Sequence, residues 1–294
     1  MMKNSYVVTF FIIITLLLIG CSEDGNTSTD ENGKLTLRLT DAPFPYDLVR
    51  EANVTIFKVE ARRAEDDMET NEMDEGSPFI TLMETDIDVN LLELTNGTTE
   101  MLADAEVPAG TYDLFRVYVK GVNVVLTDER VFDLKVPSGQ QTGIKLFIKP
   151  AITVVGGLSS DLLLDFDVSR SFVAKGNINR VENINGFNFK PVIKVSNMST
   201  TGTLMGNVSS MEDDMAVVLE GAQISIFAAD TLNTTAFSDG DGNYAIMGLD
   251  SGTYKVFAER EGYASSDTLE VTISAANNSI QDFVLEATTT ESGD

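Results

Sequence analysis

The run Gly33-Lys34-Leu35-Thr36-Leu37-Arg38-Leu39-Thr40-Asp41-Ala42-Pro43 alternates apolar and polar residues with period two. Leu35, Leu37 and Leu39 share one side and the threonines and Arg38 the other, as in a strand that rests one face on a core; a helix would need a period near 3.6. Asp41-Ala42-Pro43 then supplies the turn residues that end it. Outward from this strand the pattern recurs. Residues 52–61, 87–94, 112–120, 131–136, 144–148 and 162–168 are short, rich in β-branched side chains and separated by Gly, Pro, Asn or Asp. Ser, Thr, Asn and Gly cluster at 196–202 (SNMSTTG), and strand-like runs resume at 217–227, 244–249, 253–259, 268–273 and 280–285. A short helical turn fits only within 91–102. Regular short strands predict an all-β chain of two β-sandwich domains, one over residues 33–196 and one over 203–287.

The chain has 294 residues, long enough for two domains that each bury a core. Acids outnumber bases 46 to 20, and a net charge of −26 argues against nucleic acid, whose phosphates need a basic footprint. Histidine and tryptophan are absent. Without histidine the usual general base near neutral pH, the Ser-His-Asp and Cys-His constellations and the commonest zinc ligand are all missing. Enzymatic function is disfavoured, although a glycosidase needs only two carboxylates.

Cys21 is the sole cysteine, so no intramolecular disulfide forms and stability must come from packing. It follows Lys3, an apolar run over 6–19 and the residues Leu18-Ile19-Gly20. This resembles a bacterial lipoprotein signal, 1–20, cleaved ahead of a lipidated Cys21; the apolar run is shorter than the ~18–20 residues of a transmembrane helix. Residues 21–32 are polar and acidic, as in a solvated tether, and Ser22-Glu23-Asp24 resembles the acidic surface-export signal of Bacteroidetes-type lipoproteins. The tail 288–294 is polar and expected to fray.

Four ordered motifs stand in the larger domain: Leu39-Thr40-Asp41-Ala42-Pro43, Asp88-Val89-Asn90-Leu91-Leu92-Glu93-Leu94, Ala109-Gly110-Thr111-Tyr112 and Leu164-Asp165-Phe166-Asp167-Val168-Ser169-Arg170-Ser171. Over roughly residues 33 to 195 they resemble domain-of-unknown-function family 4382, which implies a surface or periplasmic lipoprotein module with no assigned activity. The smaller domain carries Ser238-Asp239-Gly240-Asp241-Gly242-Asn243-Tyr244, then Gly248-Leu249-Asp250-Ser251-Gly252-Thr253-Tyr254, then Glu261-Gly262-Tyr263. That order resembles the carboxypeptidase regulatory-like domain, a transthyretin-like sandwich grouped with starch-binding-like folds, and so raises carbohydrate binding. Tyr244, Tyr254 and Tyr263 are read as core aromatics in preference to a sugar platform. Gly-Thr-Tyr at 110–112 and again at 252–254 hints that both halves use one sandwich device.

Carboxylates are the only candidates for chemistry. Asp165 and Asp167 project from one face of a predicted strand, one pleat apart, opposite Leu164, Phe166 and Val168. A cation between them, joined by Asp41, is weighed against a solvated outer face, which is preferred. Asp239, Asp241 and Asn243 alternate like the first three ligands of an EF-hand, but Tyr244 and Asp250 stand where that loop needs Gly and Glu, so a structural turn is preferred to calcium. The acidic segment 65–76 (EDDMETNEMDEG) matches no calcium loop and reads as a solvated loop. The expected function is a non-enzymatic protein, lipid-anchored on the outer membrane and exposed at the cell surface, whose sandwich surfaces meet polysaccharide or another envelope protein. No cofactor is required, no catalytic residue is assigned and no ligand contact is named. The alternatives are a structural spacer or adhesion lipoprotein, and behind it a glycan hydrolase using Asp165 or Asp167.

Overall fold

A computed structural model describes residues 32–42, 48–64, 78–136 and 141–288. The predicted signal, Cys21, the tether up to residue 31, the acidic segment 65–76 and the tail beyond residue 288 lie outside the described residues. In chain order the first unit comprises β1 (Asn32–Ala42), β2 (Val49–Arg63), β3 (Phe79–Met83), β4 (Ile87–Asn90), β5 (Glu100–Pro108), β6 (Gly110–Leu126), β7 (Val131–Asp133), β8 (Ile144–Val154), β9 (Ser159–Asp167), β10 (Phe172–Gly176), β11 (Ile184–Phe189) and β12 (Ile193–Asn197). A single helical turn, α1 (Val168–Ser171), separates β9 from β10.

β1 lies inside a four-stranded sheet ordered β12-β9-β1-β5, antiparallel to β5 and parallel to β9. Leu35, Leu37 and Leu39 are all buried, as their alternation requires. They meet a six-stranded sheet built on the long pair β2 and β6, with β3 and β4 along β2 and β7 and β8 along β6. Val54, Ile56 and Val59 of β2 and Phe115, Val117 and Val119 of β6 join the leucines in one continuous core. β2 and β6 pair over their whole length only by taking several register shifts, which bend and twist a long ribbon so that it wraps the facing sheet.

The second unit comprises β13 (Thr201–Glu212), β14 (Met215–Val218), β15 (Gln223–Ala228), β16 (Thr231–Phe237), β17 (Asn243–Asp250), β18 (Gly252–Glu259), β19 (Leu269–Ile273), β20 (Asn278–Ile280) and β21 (Phe283–Leu285). β13 is central in a five-stranded sheet with β14, β17, β20 and β21; β16-β15-β18-β19 form the facing sheet. Leu204, Val208, Ile224, Ile226, Tyr244 and Val256 anchor a second core of its own. The chain is all-β in two sandwiches.

Several predicted strands end differently; 131–136 stops at Asp133, and 280–285 is broken between β20 and β21. The run 87–94 stops at Asn90, whose side chain accepts from Leu92 N–H and starts a 3-10 turn at Leu91–Glu93. Val168 does not extend β9; it opens α1, because the Asp167 carboxylate caps the turn by accepting from Arg170 N–H. The run 217–227 is broken between β14 and β15 at Gly221, whose φ of +73° a side-chain-bearing residue resists. β3, β5, β10, β11, β12, the central β13 and β16 fall outside the expected runs, since polar or glycine-rich stretches such as Thr201–Glu212 hide the alternation.

Candidate functional site

Three of the four motifs of the larger domain turn out to be one piece of architecture. Thr40 Oγ1 donates to the carbonyls of Leu94 (3.0 Å) and Thr98 (3.1 Å), and Asp41 N–H donates to Leu94 O (2.9 Å). The Asp41 carboxylate, only 5% exposed, accepts from Val168 N–H at 3.0 Å. Asn90 Oδ1 accepts from Ala52 N–H (3.1 Å) and Leu92 N–H (3.3 Å). Short polar side chains stand where strands end and ladder bonds run out, satisfying backbone groups that burial would otherwise strand. Together they tie the loop after β4 and the turn α1 to the end of β1.

Asp165 and Asp167 line a cleft at this end of the sheet, with Thr40, Asp41, Arg170 and Lys194. Asp165 lies between Thr40 on β1 and Lys194 on β12 in register. Asp167 Oδ1 accepts from Ser169 Oγ (2.8 Å) and Arg170 N–H (2.9 Å), with the Arg170 guanidinium 3.6 Å from Oδ2. The expectation of a solvated outer face is corrected here, because the second sandwich lies against it. Leu163, on the same side of β9, is fully buried yet belongs to neither core. A Cβ on Gly248 would stand 3.4 Å from Leu163 and 3.0 Å from Ser196 Oγ, so the glycine permits the close approach. Lys194 Nζ (3.2 Å) and Ser196 Oγ (3.3 Å) both donate to the Gly248 carbonyl, and Asn96 Nδ2 reaches Asn243 O at 3.5 Å.

The cleft between the sandwiches has a volume of about 140 Å³, below the ~300 Å³ at which small-molecule pockets begin. One strand step of two residues, ~6.6 Å, is a spacing glycosidases use, so separation does not decide the chemistry of Asp165 and Asp167. Prior engagement bears on it: Asp167 is held by the turn it caps, through bonds from Ser169 and Arg170. Among the described residues no three acidic groups are placed to hold a metal ion together.

The second candidate, Asp239, Asp241 and Asn243, forms a closed turn. Asp239 Oδ1 accepts from the N–H groups of Asp241 (3.0 Å) and Asn243 (2.9 Å), and Gly242 supplies a φ of +78°. Asn243 Oδ1 and Asp241 O both accept from Asn207 Nδ2 on β13 (3.1 and 3.0 Å). A calcium ion would have to displace these donors. Tyr244 and Tyr254 are buried and Tyr263 packs half-buried against the same core; burial pushes the Tyr244 hydroxyl far above the ordinary phenol range. Tyr112 OH donates to Pro108 O (2.8 Å) and Tyr254 OH to Asp250 O (2.9 Å). Both bonds reach back four residues across a corner where the chain passes from one sheet to the other, from β5 to β6 and from β17 to β18.

One cluster escaped sequence reasoning. On the outer face of the six-stranded sheet Glu60 accepts from Lys58 Nζ (2.7 Å) and Tyr118 OH (2.7 Å), with Arg116 Nη1 at 4.0 Å. Burial pushes the Glu60 carboxyl up, but the bonds from Lys58 and Tyr118 outweigh it and hold the group below the usual carboxylate range. Arg116 lies over the Phe79 ring, 3.6 Å from its centroid, and Arg62 clasps Asp113 through two bonds of 2.9 and 2.7 Å. Their sequence separations, 58 residues between Glu60 and Tyr118, leave no local trace.

Comparison with known proteins matches residues 32–191 to the domain of unknown function DUF4382 and residues 203–286 to the carboxypeptidase regulatory-like domain. No curated protein is similar in sequence. Among solved structures, the minor pilin GBS52 of Streptococcus agalactiae is 11% identical, covering 88% of this chain and 98% of its own, with a TM-score of 0.28. The shaft pilin SpaA of Lactobacillus rhamnosus GG is 13% identical over 88% of this chain and 98% of its own, also at 0.28. The Bacillus anthracis TIE protein is 12% identical over 87% of this chain and 34% of its own, at 0.25.

Proposed function

The chain belongs to the DUF4382 family, joined here to a carboxypeptidase regulatory-like domain, and from that premise we propose that it is a non-enzymatic binding protein held on the outer membrane, facing outward, by a lipid on Cys21. The observation that supports the non-enzymatic half is the engagement of the candidate carboxylates: Asp41 and Asp167 accept backbone N–H bonds that hold α1, and the cleft beside them is about 140 Å³. The lipobox-like sequence around Cys21 supports the anchor, and several acyl chains hold a protein on a membrane persistently. The sandwiches leave sheet faces and loop ends for polysaccharide or an envelope protein.

Expression with the native leader tests the anchor. Mass spectrometry should find acyl chains on an N-terminal Cys21, and Cys21→Ser should move the protein out of the membrane fraction; residues 1–20 still attached to a bare thiol would overturn it. Hydrolysis of any glycan, abolished by Asp165→Asn or Asp167→Asn, would overturn the non-enzymatic reading. The close docking at Leu163 and Gly248 favours a second reading, a structural spacer. Blank results in both a glycan array and envelope pull-downs would select it.

A further inference from the structure

At the β8 corner of the six-stranded sheet's outer face, cations cluster in a molecule whose net charge is −26. Alternation along β8 places Lys145, Phe147 and Lys149 outward, and all three are exposed, Phe147 by 61%. Lys145 is in register with Arg116 on β6, and Phe147 with Leu114. Nearby acids are already matched: Glu60 with Lys58, Asp113 with Arg62, and Asp86 with Lys120. Arg116 shares Glu60 with Lys58, with Phe79 beneath it, so that cluster is left with one positive charge over, beside Lys145 and Lys149. A net charge of −26 does not cancel this patch, since charges beyond a Debye length of ~8 Å at physiological salt are largely screened.

We propose that this face binds an anionic polysaccharide, a chain carrying carboxylate or sulfate groups. The proposal deepens the binding reading above and rests on it. An exposed ring with a lysine one pleat away on either side matches what such a polymer presents: C–H faces of sugar rings to stack on Phe147, and anionic groups ~13 Å apart to meet Lys145 and Lys149. Arg116 extends the cationic row onto the next strand, where its guanidinium is already oriented by the Phe79 ring. Lysines on a strand beside an open edge also discourage sheet-to-sheet aggregation. That role requires no exposed phenylalanine between them, and an unshielded Phe147 would work against it.

The test uses the chain from residue 22 onward, which retains every described residue and omits the lipid, so its outcome is independent of the anchor experiment. Binding to polygalacturonate and dextran sulfate is compared with neutral dextran by calorimetry. The expected result is binding to the two anionic polymers alone, weakened about tenfold or more by Lys145→Gln with Lys149→Gln and about fivefold by Phe147→Ala. The charge-matched pair Lys175→Gln with Lys190→Gln should leave affinity unchanged. Three results would overturn the proposal: no binding to either anionic polymer, equal losses in the control pair, or polyglutamate bound as tightly with no effect of Phe147→Ala. Binding to phosphatidylglycerol-rich vesicles without binding to either polymer would overturn it in favour of a membrane contact. Circular dichroism and a melting curve on each variant distinguish lost affinity from lost fold.

Discussion

Replacing Tyr112 or Tyr254 by phenylalanine removes one oxygen and nothing else, so it isolates what the corner bond contributes. Each hydroxyl donates to a carbonyl four residues back, Pro108 O or Asp250 O, and the rings are 0% and 7% exposed. A net hydrogen bond is worth roughly 0.5–1.5 kcal/mol, and a carbonyl left without its partner raises the cost, so each substitution should destabilise by about 1–2 kcal/mol. The two sites lie in separate cores, and their effects should add. The same loss should register differently on heating, because 1 kcal/mol moves a midpoint by roughly 4–8 °C in a domain of 60–100 residues and by roughly 2–4 °C in one of 150–250. Tyr254→Phe should therefore shift its transition about twice as far as Tyr112→Phe shifts its own. Urea titration of both variants and the double variant measures the energies; calorimetry measures the midpoints. Losses below about 0.3 kcal/mol for both would show that the corners are held by packing alone and would refute the reasoning.

Glu60→Gln should cost stability at pH 7, and the cost should shrink as pH falls. The carboxyl is depressed in the folded state, so its contribution is present above the unfolded value of about 4.3 and lost as pH drops through the lower folded value; denaturant midpoints at pH 7, 5 and 3.5 would show it, and a pH-independent difference would contradict it. Gly206→Ala should be among the worst single changes in the second sandwich, about 3 kcal/mol or more, since its Cβ would lie 1.9 Å from the Gln281 carbonyl oxygen; a melting curve that barely moves would contradict that contact. Asp167→Ala should cost about 1 kcal/mol by uncapping α1, with amide exchange quickening at Arg170 first.

The all-β architecture was legible because buried faces impose period two, as at Leu35, Leu37 and Leu39. The covering of β9 on both sides was legible too, though it was missed: Leu162-Leu163-Leu164 breaks the alternation, and a continuous apolar run signals two buried faces. Asp165 and Asp167, alternating with Phe166 and Val168, mask that signal by reading as a solvated face. The repeated Gly-Thr-Tyr was noticed, but its meaning is a bond to a carbonyl four residues back, which only the corner geometry reveals. β13 escaped because Gly202, Gly206 and several hydroxyl residues dilute its pattern, although it is the central strand of its sheet. The Glu60 cluster could not be foreseen, since pairing between β2 and β6 brings together residues far apart in the chain. For the carboxylates, spacing was readable while prior engagement was not.

Only residues 198–200 connect β12 to β13, and they are pinned: Thr200 N–H and the Thr201 hydroxyl both donate to Asn197 O, while the Asn197 side chain holds Ser199. The Gly248 carbonyl is gripped from the other side by Lys194 and Ser196. Turning one sandwich against the other therefore means breaking those bonds and drawing Leu163 out of the cover that Gly248 gives it. The seam, and not the length of the linker, is what resists a swing between the two halves.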